Sequence, residues 1–298
     1  VAGVDIPVEI LTIATAGVDV FAGMNGPASR EGAVGLALEN ASFAIVSMRP
    51  EGAPESDARS WTAVSADAAV AAMVGFPGFD VSATSIDVRL NQANEADAAD
   101  FTQSDLDGDG SADGGYAVST GSGDIVIDYT TELLEFSASV DIALFDFVFF
   151  SGSFAFRKTS APVDLVLDNG SVATAEMITV GATGLDAFVG VNGPAGTPGA
   201  VGFTVTGFEF GLALLSTQSD PADPAPDARS WTIMQASVDT AGFAGIPGVD
   251  LTVSSILVEV NRAAGTNNGV RNTRGVDTTA SDFDGDGTAD GALEIATG

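Results

Sequence analysis

SVDIALFDFVFF, residues 139–150, decides the fold class. In an extended chain Val140, Ile142 and Leu144 point to one side and Phe145, Phe147 and Phe149 to the other, because successive strand side chains alternate. The stretch therefore reads as one strand, apolar on both faces and covered on both. The same period of two runs through residues 8–15, 18–24, 34–48, 81–90, 124–129, 154–157, 163–167, 200–215 and 251–260. Helical spacing is hard to find. The apolar set is rich in β-branched residues and Phe, and Gly is abundant at 36 residues. The expected fold class is all-β.

Turn residues separate these runs. Pro77-Gly78 and Pro247-Gly248 fit type II turns, in which proline presets φ at the first central position and glycine accepts a positive φ at the second. Asn25-Gly26 and Asn192-Gly193 mark tight turns, each followed by a proline that ends the strand. Acidic, Pro-rich loops at 50–57 and 220–227 are where the copies come to differ in length, as exposed loops do.

These features come in pairs because the chain repeats itself. NGPA at 25–28 returns at 192–195, DARSWT at 57–62 returns at 227–232, and GFPGFDV at 75–81 returns as GIPGVDL at 245–251. SDLDGDGSADG at 104–114 returns as SDFDGDGTADG at 281–291. The offset grows from 167 at Asn25/Asn192 through 170 at Asp57/Asp227 to 177 at Asp105/Asp282, as loops lengthen. The repeat divides the chain into a partial unit, residues 1–121, and one full unit in circular register, residues 122–298. A chain that starts and stops inside a period is expected of a segment of a longer array. Two layouts fit: a β-solenoid-like or interlocked β-rich array, and a string of tandem β-sandwiches. The absence of a Pro/Ser-rich linker between the copies favours the array.

Composition narrows function. The formal net charge is −31, with 41 acids against 10 bases, which repels nucleic acid and anionic lipid and attracts divalent cations. There is no His and no Cys, so thiolate and imidazole metal sites and His-based triads are excluded. No apolar run is long enough for a transmembrane helix, and two Trp with two Tyr are too few for the aromatic girdles of a membrane barrel. Neither membrane insertion nor nucleic-acid binding is expected. Carboxylate pairs for glycosidase chemistry carry no signal among 41 acids, and no catalytic site is marked.

The chemistry-bearing motif is the Asp-rich loop. Asp105, Asp107, Asp109 and Asp113 stand at positions one, three, five and nine, and Asp282, Asp284, Asp286 and Asp290 repeat them. Carboxylates at alternate positions, with a glycine after the third, let a short loop wrap a hard cation. Position seven would offer the backbone carbonyl of Ser111 or Thr288. The expected cofactor is calcium. The loops resemble those of dockerins, thrombospondin type 3 repeats and EF-hands. They depart from the EF-hand at position twelve, where Tyr116 and Leu293 replace its bidentate Glu, and Asp100, Asp277 or water could supply the missing ligand. In DARSWT, Trp61 and Trp231 read as core residues, with Asp57–Arg59 and Asp227–Arg229 as local ion pairs. The alternative makes the indoles platforms for a glycan.

SGSFAF (151–156), GLDAFVGVNG (184–193), VGFTVTGFEFGLALL (201–215) and GIPGVDLTVSSILVEVN (245–261) together resemble the β-strand repeats of giant secreted bacterial surface proteins, including calcium-binding adhesins. The resemblance implies an extracellular or cell-surface structural repeat, non-enzymatic, in a fibre or adhesin stalk. Its partners would be adjacent copies of the same repeat, in a covalent array or a homopolymer filament, with extracellular glycans as further candidates. The rival is a calcium-dependent protein that binds or degrades polysaccharide.

Overall fold

The computed structural model describes residues 6–54, 56–217 and 227–298. Of the two Pro-rich loops, residues 220–226 lie outside the described residues. Among the described residues there is no helix, and the expected all-β class is what the chain adopts. The strands are an array of antiparallel hairpins rather than coiled rungs.

Two compact units form. The first comprises Val1–Val74 and Thr84–Phe136. Its strands β1 (Val8–Met24), β2 (Val34–Pro50), β3 (Ser60–Val74) and β4 (Phe79–Asn94) lie in chain order, while β5 (Tyr116–Ser119) and β6 (Asp124–Ile127) pair as a separate hairpin. The outer neighbour of β4 is β7 (Leu133–Leu144). The second unit comprises Gly75–Ala83 and Ser137–Gly298. After β7 come β8 (Val148–Val166), β9 (Val172–Val191), β10 (Val201–Ser216), β11 (Ser230–Ala244) and β12 (Thr252–Ala264), again in chain order. A short hairpin, β13 (Thr266–Asn267) with β14 (Val270–Arg271), follows. The repeat border at residues 121/122 falls in the turn of the β5–β6 hairpin, so the sequence period and the compact units are out of phase.

The stretch 139–150 is a hairpin and not a single strand. Phe145 and Asp146 take φ of 52° and 54°, and Phe147 N donates to Leu144 O at 3.0 Å, closing the turn between β7 and β8. Phe145 is consequently 66% exposed instead of covered. Its ring meets Phe79 edge-on at 4.9 Å, and its N donates to Gly78 O at 2.6 Å. Gly78, at φ +77°, is the second central residue of the expected type II turn, in which Phe79 N donates to Phe76 O at 3.0 Å. A Cβ there would also meet the Phe145 ring at 2.4 Å.

The long strands break register near their midpoints, and both copies use one device. Asp19 Oδ1 accepts from Asn40 N at 2.9 Å beside the β1–β2 irregularity, and Asp186 Oδ1 accepts from Gly207 N at 2.9 Å beside that of β9–β10. Asp186 stands 167 residues after Asp19, as Gly207 does after Asn40. The acid within an apolar strand therefore latches a bulge.

Each unit carries its core on one face, at one end of the strands. In the first, Ala44, Val46 and Met48 of β2 and Trp61 and Ala63 of β3 pack with Phe101, Val118, Ile127 and Tyr129, so the β5–β6 hairpin serves as the second layer. In the second, Ala213, Leu215 and Trp231 pack with Val163, Leu165, Leu167, Val276 and Phe283, and Leu293 and Ile295 lie against them. The copies exchange a methylene: Ala44 and Val118 correspond to Gly211 and Ile295. A Cβ added at Gly211 would come within 3.2 Å of Ile295 Cδ1, tighter than ordinary contact.

Candidate metal centre

Both Asp-rich loops close on themselves by carboxylate acceptance. Asp105 Oδ1 accepts from Gly108 N at 2.8 Å and Asp109 N at 3.1 Å, and its Oδ2 accepts from Gly110 N at 2.8 Å. Asp282 does the same with Gly285 N at 2.7 Å and Gly287 N at 2.8 Å. Asp113 Oδ2 accepts from Leu106 N at 2.7 Å and Asp290 Oδ2 from Phe283 N at 2.6 Å, drawing position nine back to position two. The loops are anchored by Asp113 N to Ser104 O at 3.0 Å and Asp290 N to Ser281 O at 3.1 Å.

This folding brings Asp105, Asp107 and Asp109 together, and likewise Asp282, Asp284 and Asp286, with one oxygen of each acid within 4.8 Å of the others in its triplet. Each triplet could hold a metal ion. Oxygen-only donors from three carboxylates suit a hard divalent cation. Gly108, Gly110, Gly285 and Gly287, at φ from +79° to +90°, supply the tight wrap. At position seven, Ser111 N donates to Asp109 Oδ1 at 2.8 Å, while Thr288 N and Oγ1 both donate to Asp286 Oδ1, at 2.7 and 2.5 Å. These bonds, the hydroxyl's first, hold the Asp286 carboxyl below its ordinary pKa.

Two sequence-based suggestions fare differently. Asp100 and Asp277 do not join the triplets. Asp100 Oδ1 accepts from Thr102 Oγ1 at 2.7 Å and Thr102 N at 2.9 Å, and Asp277 Oδ1 accepts from Thr279 Oγ1 at 2.7 Å and Thr279 N at 3.0 Å. Each closes its own turn upstream of the loop. Both indoles lie in the cores, with Trp61 7% and Trp231 1% exposed. Trp61 Nε1 donates to Asp97 O at 2.8 Å and Trp231 Nε1 to Arg274 O at 2.9 Å, tying β3 and β11 to the segments that lead into the loops. The DARSWT ion pairs form, with Arg59 Nη2 2.7 Å from Asp57 Oδ2 and Arg229 Nη2 2.6 Å from Asp227 Oδ2. The guanidinium of Arg59 holds the Asp57 carboxyl at about 2, and Arg229 lowers that of Asp227. Arg229 also sits 5.4 Å over the Trp231 ring.

No family model, curated protein or solved structure matches the chain.

Proposed function

We propose that the chain is a non-catalytic structural repeat segment of an extracellular or cell-surface fibre or adhesin stalk, with calcium held in its Asp-rich loops. The observation that carries this reading is equivalence. The indole bond to the loop lead-in, the Arg–Asp clasp, the Pro-Gly turn, the Asp-latched bulge and the self-closed Asp loop recur in both copies. Duplication of fixing contacts is what a load-spreading array uses, whereas a catalytic site needs only one set of residues. Asp105, Asp107 and Asp109, and Asp282, Asp284 and Asp286, would hold the ion, with the carbonyls of Ser111 and Thr288 as further donors. Bound there, calcium neutralises like charges that the fold gathers. The reading as a polysaccharide-acting protein loses its aromatic platforms, since both indoles are buried.

Electron microscopy of the native material with and without a calcium chelator tests the reading. Long fibres with an axial repeat, softened or dissolved by chelation, are expected. Fibres indifferent to chelation would remove calcium as the brace, and discrete particles would overturn the fibre.

A further inference from the structure

The two copies lack different neighbours, and the first shows what should cover the second. In the first unit, the face of β2 and β3 is roofed by the β5–β6 hairpin: Ile127 is fully buried, and the Tyr129 hydroxyl donates to Val64 O at 3.2 Å. From there the chain runs to β7, which pairs with the outer edge of β4. Buried Asn91 of β4 donates Nδ2 to Thr131 O and to Ala99 O, both at 2.8 Å, fixing where that segment crosses.

The second unit repeats the floor without the roof. Residues 293–296 stand where β5 does but have no paired strand among the described residues, and beside them lies an open groove of about 700 Å³. It is lined by Glu209, Met234, Gln235, Asn261, Leu293 and Ile295. Met234 holds the position of Val64, and Asn261 that of Asn91. Asn261 keeps the bond corresponding to that with Ala99, donating to Val276 O at 2.7 Å, yet it is exposed where Asn91 is buried. The edge alongside is β12, where Val253, Ile256, Leu257 and Val258 are all exposed. Position for position it is more apolar than covered β4: Val253 replaces Ala83 and Leu257 replaces Asp87. Proteins guard a solvent-facing edge with Lys, Pro or inward charge, and β12 has none of these between Thr252 and Val258.

We propose that the groove and the β12 edge together seat an extended segment of the β6–β7 type, supplied by another repeat of the same kind. Its first strand would roof β11 beside Leu293 and Ile295, and its second would extend the sheet from β12 by strand addition. The proposal rests on the array reading and names the contact that would build the array.

The test adds a fluorescent synthetic peptide of residues 121–144 to the full chain, at about 0.15 M salt to screen contacts between acids. Saturable binding is expected, with hydrogen-exchange protection gained in β12 and at residues 233–237. Val258→Lys, a guard at an exposed position, should weaken binding about tenfold with an unchanged melting temperature. No saturable binding, or protection appearing in β1 instead, would overturn the proposal. So would β12 already protected by self-association that the peptide cannot displace: a second copy's edge would then be the occupant, and the array reading would stand. Peptide binding at β12 by a chain that forms no fibres would keep the seat and remove the fibre.

Discussion

β9 and β1 hold the same place in the repeat and do not share the same fate. In β9, flanked by β8 and β10, Ala173, Ala175, Met177, Thr179, Ala182, Leu185 and Phe188 are buried. In β1, which among the described residues has β2 as its one paired strand, no residue is buried, and Leu11 and Ile13 stand exposed where β9 has half-buried Ile178 and Val180. β4 and β12 repeat the contrast at the other side of the motif. Burial in this chain is therefore set by which neighbours a strand has, more than by its own composition.

The largest expected effect is at the one element the copies share most closely. Trp231→Ala should cost about 3–5 kcal/mol in chemical denaturation, and Trp61→Ala nearly as much, because each removes a buried indole and its bond to the loop lead-in. A small loss at either site would mean that the cores are not anchored as described. Next comes the asparagine pair, where the copies diverge. Asn91→Ala strips two carbonyls of their donor and should cost about 1–3 kcal/mol, while Asn261→Ala, at an exposed site, should cost less. Equal losses would break the comparison between β4 and β12.

Calcium should act on both copies alike. On the calcium proposal, the ion at tenfold its dissociation constant would stabilise each site by about 1.4 kcal/mol, so Asp107→Ala or Asp284→Ala should each halve the two-site gain in a calcium-dependent melting experiment. Asymmetric losses would show that the loops differ in affinity. The smallest effect is from pH. The Asp57 carboxyl sits at about 2 against an ordinary 3.8, so its contribution to stability is complete above about 3.8 and is lost as pH falls towards 2. Asp227, lowered by the same kind of clasp, loses its contribution in the same direction. Acid titration of Arg59→Gln should show the Asp57 part missing.

The sequence carried the fold class, the period, the Pro-Gly turns, the buried indoles and the gathering of aspartates, because each depends on local chemistry repeated twice. The strand runs read from it leave out β3, β9 and β11, since runs such as ADAAVAAMV at 66–74 and VATAEM at 172–177 offer Ala where β-branched residues usually mark a strand. Nor did it reveal the β7–β8 turn, where Phe145 and Asp146 take positive φ without a glycine or asparagine to signal it. The bulge latch does have a sequence signal: Asp19 and Asp186 are acids at one repeat position inside apolar strands. Which strand ends up bare depends on sheet order, and no local pattern encodes that.

The Asp-rich loops carry a consequence for chemical ageing. An aspartyl–glycine bond is prone to succinimide closure, because the unhindered glycine nitrogen can attack the carboxyl carbon before it. Each loop contains three such bonds, at Asp107-Gly108, Asp109-Gly110 and Asp113-Gly114 and again at Asp284-Gly285, Asp286-Gly287 and Asp290-Gly291. In the first two bonds of each loop the nitrogen is engaged elsewhere: Gly108 and Gly110 donate to Asp105, and Gly285 and Gly287 donate to Asp282. The first aspartate of each loop thus guards the next two against isomerisation.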